Sequence, residues 1–133
     1  LGSGKSSRVL GVMEVLSVAD GDRSAYTYAN KQEWRERVRY SVVGDEKALQ
    51  AADVALAAWQ ALGCLDAGRV DVRLDGQGRA RFIEVNPLAG LNPESSDLPI
   101  LCHHIGLEYD MLIAQIVESA AQRAKVRNMG ARL

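Results

Sequence analysis

Two carboxylates and an amide stand close together in "RVDVRLDGQGRARFIEVNPLAGLNP", the stretch running from Arg69 to Pro93. Asp71, Glu84 and Asn86 offer hard oxygen donors, and Arg69 and Arg73 flank the first of them. Two carboxylates brought together repel unless a cation lies between them or an arginine beside them. Three oxygen donors of this kind suit Mg²⁺, which takes one or two carboxylates and completes its shell with phosphate and water. The same residues also read as an exposed hairpin face with Arg69 and Glu84 as a cross-strand ion pair. Spacing by itself leaves both readings open.

The stretch has the pattern of two β-strands, about 67–75 and 79–86, around a glycine turn. With Gly76 and Gln77 as a two-residue turn, Asp71 lies opposite Phe82 and Arg69 opposite Glu84. Side chains alternate along a strand. Val70, Val72 and Leu74 then share the core side with Ile83 and Val85. Arg69, Asp71 and Arg73 share the other face with Phe82, Glu84 and Asn86. Asp71 and Glu84 become diagonal neighbours, with Cβ atoms about 7–8 Å apart.

Other elements must hold this hairpin. "GDEKALQAADVALAAWQALGC" carries a helix of about five turns, with Asp45 as N-cap and Gly63 as C-cap signal. Its alanine density suits close packing on a sheet. "RVLGVMEVLSV" reads as a strand, and "AYTYANKQEWRERVRYSVV" as a short strand followed by a long ordered loop. After the hairpin come a loop, a short helix in "DLPILCHHIG" ended by Gly106, and a final amphipathic helix. Leu112, Ile113, Ile116 and Val117 form the buried stripe of that helix, and residues 124–133 read as a frayed tail. The expected fold class is α+β: one domain over residues 1–133, a mainly antiparallel sheet with helices packed on one face.

Bulk composition narrows the function. The chain has 133 residues, 47% hydrophobic and 25% charged, with a formal net charge of −1. That is an ordinary globular balance, and it gives no electrostatic case for nucleic acid. No apolar run reaches the length of a membrane span. Cys64 and Cys102 lack metal-type spacing and read as buried free thiols of a reducing cytosol. "GSGKSS" superficially suggests a phosphate-binding loop. Such a loop needs a preceding strand and a following helix, and here a strand follows. A flexible end or turn fits better. His103 and His104 read as surface or capping histidines, and Trp59 as packing.

The stretch "GRVDVRLDGQGRARFIEVNPLAGLNPESSDLP" resembles the C-terminal half of an ATP-grasp ligase, most closely the D-alanine–D-alanine ligase family. The pattern is Arg-x-Asp on one strand, Glu-x-Asn ending the next, a glycine loop, and a serine before a proline. Upstream, "YTYANK" is similar to the family's entry to its mobile loop; downstream, "GLEYDMLIAQIVESA" is similar to its closing helix.

The resemblance implies an ATP- and Mg²⁺-dependent ligase that joins a carboxylate to an amine through an acyl phosphate. It would be a cytoplasmic enzyme of peptidoglycan synthesis acting on small amino-acid-like substrates. Asp71, Glu84 and Asn86 would hold two Mg²⁺ ions, for which Mn²⁺ could substitute. Arg69 and the Gly90 backbone N–H would stabilise an oxyanion, and Lys31 would contact the γ-phosphate. Ser95 or Ser96 would receive the carboxylate of the second substrate. Ala89 stands where the family commonly has proline, and Gln32 where an aromatic residue often follows the lysine. The loop from Gly90 to Pro99 is one residue longer than usual, so Ser95 and Ser96 compete for one role. The expectation is a C-terminal portion of a longer ligase, inactive without the rest of that chain, with a homodimer as a further partner. The rival function is a nucleotide-binding module of the same superfamily that does not ligate.

Overall fold

The computed structural model describes residues 1–17 and 38–130. Lys31, the expected phosphate contact, lies outside the described residues. The described strands form two antiparallel pairs. In the first, β1 (Val12–Ser17) pairs with β2 (Val38–Val43), Val15 opposite Tyr40. In the second, β3 (Arg69–Leu74) pairs with β4 (Ala80–Asn86). Helix α1 (Glu46–Ala61) packs against β3 and β4 and also touches β1. Helices α2 (Asp97–His104) and α3 (Tyr109–Gly130) pack on each other. This is the expected α+β class. Strand β2 falls in a stretch read as loop: its partner β1 is distant in sequence, and the local sequence shows no alternation that would announce a strand.

Both ends of α1 follow from local chemistry. Asp45 has extended backbone, and its Oδ1 accepts from the Ala48 N–H at 2.8 Å. At the other end Gly63 takes φ +66°. Gly63 N–H donates to Gln60 O at 3.1 Å and Cys64 N–H to Trp59 O at 3.1 Å. These two bonds form a Schellman motif, which needs a left-handed residue at that point and therefore favours glycine.

A small core of Leu98, Cys102 and Leu112 joins α2 to α3, with Leu10, Ala67, Leu107 and Ile116 against it. Cys64 and Cys102 are free and buried; burial pushes the Cys102 thiol pKa up. Of the expected α3 stripe, Leu112 is fully buried and Ile113 and Ile116 half-buried, but Val117 is 61% exposed. Helix α3 also continues through residues 124–130, the stretch expected to fray. His103 and His104 are exposed. No helix among the described residues is long and apolar enough to cross a membrane.

The glycine- and serine-rich start of the chain is a one-turn 3₁₀ segment, Gly4–Ser6, tied down at several points. Asp66, at φ +63°, is the anchor. Its carboxylate accepts from Ser3 Oγ at 3.3 Å, Ser119 Oγ at 3.0 Å and Arg123 Nη2 at 2.7 Å. Its backbone accepts from Gly2 N–H at 2.6 Å, and its own N–H donates to Ser3 Oγ at 3.0 Å. Desolvation opposes the charged form of Asp66, but the hydrogen bonds from Arg123 and Ser119 outweigh it and hold the carboxyl below its usual range.

Trp59 fixes the back of the second hairpin. It is 4% exposed, and its indole N–H donates to Gly2 O at 3.0 Å. A Cβ on Gly68 would lie 2.6 Å from the Trp59 ring and 2.6 Å from the Asn86 carbonyl oxygen. Gly68→Ala is therefore expected to destabilise the fold by about 2–3 kcal/mol, as overpacking does in a closed core. A fall in the urea unfolding midpoint at unchanged slope checks it.

The hairpin turn provides a second test. Asp75 Oδ1 accepts from the Gln77 N–H at 2.9 Å and the Arg79 N–H at 3.0 Å, and its Oδ2 from Arg79 Nε at 2.9 Å and Arg81 Nε at 3.0 Å. These donors, the Arg79 N–H foremost, hold the carboxyl at about 2 instead of 3.8. A depressed folded-state pKa stabilises above the unfolded value, and that contribution is lost as pH falls. The stability advantage over Asp75→Asn should be complete above about pH 4 and gone by about pH 2, as read from denaturation midpoints across that range.

Candidate active site

The register of the second hairpin sets the geometry of the site, and it differs from the two-residue-turn expectation. Asp75 N–H donates to Arg79 O at 2.9 Å, so Gly76, Gln77 and Gly78 make a three-residue loop. Gly78 takes φ +75°, the left-handed conformation that a loop of this length requires at its last residue. Leu74 then faces Ala80, Arg73 faces Arg81 and Val72 faces Phe82. A bulge follows: Ile83 has no opposite number, and the pairing resumes with Asp71 opposite Glu84, Val70 opposite Val85 and Arg69 opposite Asn86.

Asp71 and Glu84 are thus directly opposed, not diagonal, which brings their Cβ atoms to about 4.5–5.5 Å. Arg69 faces Asn86 instead of Glu84, so the expected Arg69–Glu84 ion pair does not form. The three-residue turn puts Phe82 opposite Val72, off the face of Asp71, and Ile83 at the bulge is 56% exposed.

The charges on this face are unevenly matched. Arg69 Nε donates to Asp71 Oδ1 at 2.7 Å and Arg69 Nη2 to Asp71 Oδ2 at 3.2 Å, a bidentate pair along one strand. Arg69 Nη1 also donates to Asp97 Oδ2. Partial burial would lower the Arg69 pKa, but Asp71 and Asp97 together outweigh it and hold it above its usual value. Glu84 is exposed, and no arginine or lysine among the described residues pairs with it. An unpaired carboxylate facing another carboxylate is a place for a cation. Asn86 Oδ1 accepts from the Leu88 N–H at 3.2 Å, which orients the amide and leaves that oxygen a second lone pair.

No group of three His, Cys, Asp or Glu among the described residues could hold a metal by itself. The donor set is two carboxylates and an amide. It fits a Mg²⁺ ion that draws the rest of its shell from phosphate and water, and does not fit an all-protein cage.

The loop after β4 folds back on itself. Asn92 N–H donates to Ser96 Oγ at 3.0 Å, and the Tyr109 hydroxyl donates to Leu91 O at 3.0 Å. A Cβ on Gly90 would lie 2.5 Å from Ser96 Oγ, so a larger residue there would push that serine's hydroxyl aside. The structure therefore brings Ser96 to Gly90. Ser95 contributes a backbone N–H to Asn92 O at 3.3 Å. Sequence reasoning missed Asp97 and Tyr40, whose hydroxyl donates to Asp97 Oδ1 at 3.1 Å. Asp97 reaches Arg69, and Tyr40 reaches Asp97, from distant parts of the chain; the sequence signal was a charged residue at the first position of α2.

Residues 1–118 match the family model described as D-ala D-ala ligase C-terminus. The chain is 34% identical over 124 residues to a D-alanine–D-alanine ligase of Bordetella petrii, covering 91% of this chain and 36% of that protein. It is 33% identical over 124 residues to a ligase of the same name from Bordetella avium, with 91% and 37% covered. The chain spans about a third of the length of these relatives. Among solved structures, the D-alanine–D-alanine ligase of Bacillus anthracis superposes with a TM-score of 0.67 at 24% identity, over 86% of this chain and 37% of that one. The same enzyme complexed with ATP superposes with a TM-score of 0.62, over 90% and 41%. A family match over most of the chain and the shared fold agree with the hairpin pattern: the chain belongs to the D-alanine–D-alanine ligase family, as the C-terminal part of its ATP-grasp fold.

Proposed function

We propose that this chain is the metal- and phosphate-binding portion of an ATP-dependent ligase that joins a carboxylate to an amine through an acyl phosphate, D-alanine–D-alanine ligase-like in its reaction. The observation that carries the reading is Glu84, a carboxylate held directly across from Asp71 with no cation of the described chain to neutralise it. Asp71, Glu84 and Asn86 would hold two Mg²⁺ ions, whose chemistry there would be to neutralise the nucleotide's phosphates and the charge developing during transfer.

The remaining roles belong to the chain itself. An arginine has five N–H donors; three of them bond Asp71 and Asp97 in this site, which leaves two for a substrate oxygen. Those two, with the Gly90 N–H, donate to the oxyanion formed when the amine adds to the acyl carbon. Ser96 Oγ, seated over Gly90, is the better placed of the two serines to meet the second substrate's carboxylate. Lys31 contacts the γ-phosphate. Arg69, Gly90 and Ser96 serve acyl transfer, not nucleotide binding, and their grouping favours ligation over a non-ligating nucleotide module.

In the full polypeptide, Glu84→Gln is expected to lower kcat for Mg²⁺-dependent ligation by about 100-fold or more, the scale on which lost charge stabilisation acts in such sites. Unchanged turnover would overturn the metal assignment. Gly90→Ala is expected to displace Ser96, raising KM for the amine substrate more than KM for ATP. The chain alone is expected to turn over no ATP, and millimolar Mg²⁺–ATP should leave its melting temperature nearly unmoved, since only ligands bound by the folded state raise it.

A further inference from the structure

The proposed ligation uses Asp71, Glu84, Asn86, Arg69, Gly90 and Ser96. It does not account for Asp97. This residue opens α2, and its carboxylate is committed on both oxygens: Oδ2 accepts from Arg69 Nη1, and Oδ1 accepts from the Tyr40 hydroxyl at 3.1 Å. Three elements from separate parts of the chain therefore meet at one carboxylate: β2 through Tyr40, β3 through Arg69, and α2 through Asp97 itself.

From this juxtaposition we propose that Asp97, tied by Tyr40, is a positioning residue that fixes the Arg69 guanidinium and so aims its two remaining N–H donors at the reacting oxygen. This rests on the reading of Arg69 as an oxyanion donor. The need for a second hold is physical. Asp71 is two residues from Arg69 on the same strand, so their bidentate pair moves with that strand and with the rotamer of Asp71. Side chains of both residues are 38% exposed, and one ion pair at that exposure is weak and screened. A second carboxylate on a different element removes the remaining freedom. Catalysis is sensitive to such placement, because misaligned donors lose most of their value in the transition state.

Charge alone would give Asp97 the opposite role. A guanidinium shared by two carboxylates has less positive charge to offer an oxyanion, so a purely electrostatic Asp97 would restrain the reaction, and neutralising it would raise kcat. Positioning predicts a fall.

The test is Asp97→Asn in the full-length ligase. The expected result is a fall in kcat of about tenfold with KM for ATP within about twofold, the scale on which one charge-assisted hydrogen bond acts in a transition state. Asp97→Glu should recover part of the loss, and it also serves if the asparagine variant does not fold. Tyr40→Phe should move kcat in the same direction by a smaller factor. A second readout needs neither metal nor ATP: hydrogen exchange of the Arg69 Nη1–H that faces Asp97, followed by ¹⁵N spectroscopy, should speed up several-fold in Asp97→Asn. An unchanged or raised kcat, or an unchanged exchange rate, overturns the proposal. Glu84→Gln run in parallel separates the two readings. If that variant keeps full turnover, the ligase site is wrong, and the exchange measurement still judges whether Asp97 holds Arg69.

Discussion

The site depends on a parity constraint in the second hairpin. Along a strand, side chains alternate faces, so a slip of one residue moves every side chain to the other side. The three-residue turn pairs Val72 with Phe82. Continued without change, that register would place Asp71 across from Ile83 and Glu84 across from Val70, with one carboxylate on the site face and the other toward the apolar side. The bulge at Ile83 inserts one residue and restores the parity, so that Asp71 meets Glu84 and Arg69 meets Asn86. An unfavourable pairing of like charges is thus built by a local irregularity that costs one ladder position. Bulges recur next to functional sites for this reason: they re-aim a side chain without altering the rest of the strand.

The elements around the hairpin keep that register from relaxing. Helix α1 covers the back of β3 and β4, and Trp59 meets Gly68 where β3 begins, beside the last carbonyl of β4. The same indole holds Gly2, and Asp66 gathers Ser3, Ser119 and Arg123 from the two ends of the described chain. The segment that superficially resembles a phosphate loop is held there by hydrogen bonds to Asp66, Trp59 and Gln60. On the other side, Asp75 closes the turn with two backbone and two guanidinium donors. Both ends of the hairpin are therefore fixed, and slippage at the bulge would have to break one of them.

Local chemistry made much of this legible. Asp45 and Gly63 announced the ends of α1, because caps and left-handed glycines act within a few residues. The hairpin and the shared face of Arg69, Asp71, Glu84 and Asn86 were also readable, though partly by compensation. A two-residue turn without a bulge and a three-residue turn with one differ by two residues in register, so the face assignment survives while each partner changes. Phe82, on the turn side of the bulge, is where the compensation fails. What stayed hidden depends on contacts between distant segments. β2 becomes a strand through its pairing with β1. Asp97 meets Arg69 and Tyr40 only after α2 has docked. The choice between Ser95 and Ser96 turns on the fold of a loop whose length departs from the family pattern, a loop that seats Ser96 Oγ against Gly90.

The Asp97 contact also bears on why a carboxylate-rich site could serve a polyanionic nucleotide. Asp71, Glu84 and Asp97 carry three negative charges and Arg69 one positive, a local sum of −2 that would repel a triphosphate. The two divalent ions proposed here would reverse that sum to +2, so the nucleotide would have to bind together with its metal. Arg69 would then act at the acyl carbon. With two carboxylates already drawing on its charge, its contribution would come from direction more than from field strength. A site arranged this way divides the work: charge from the ions, geometry from the clasp around one guanidinium.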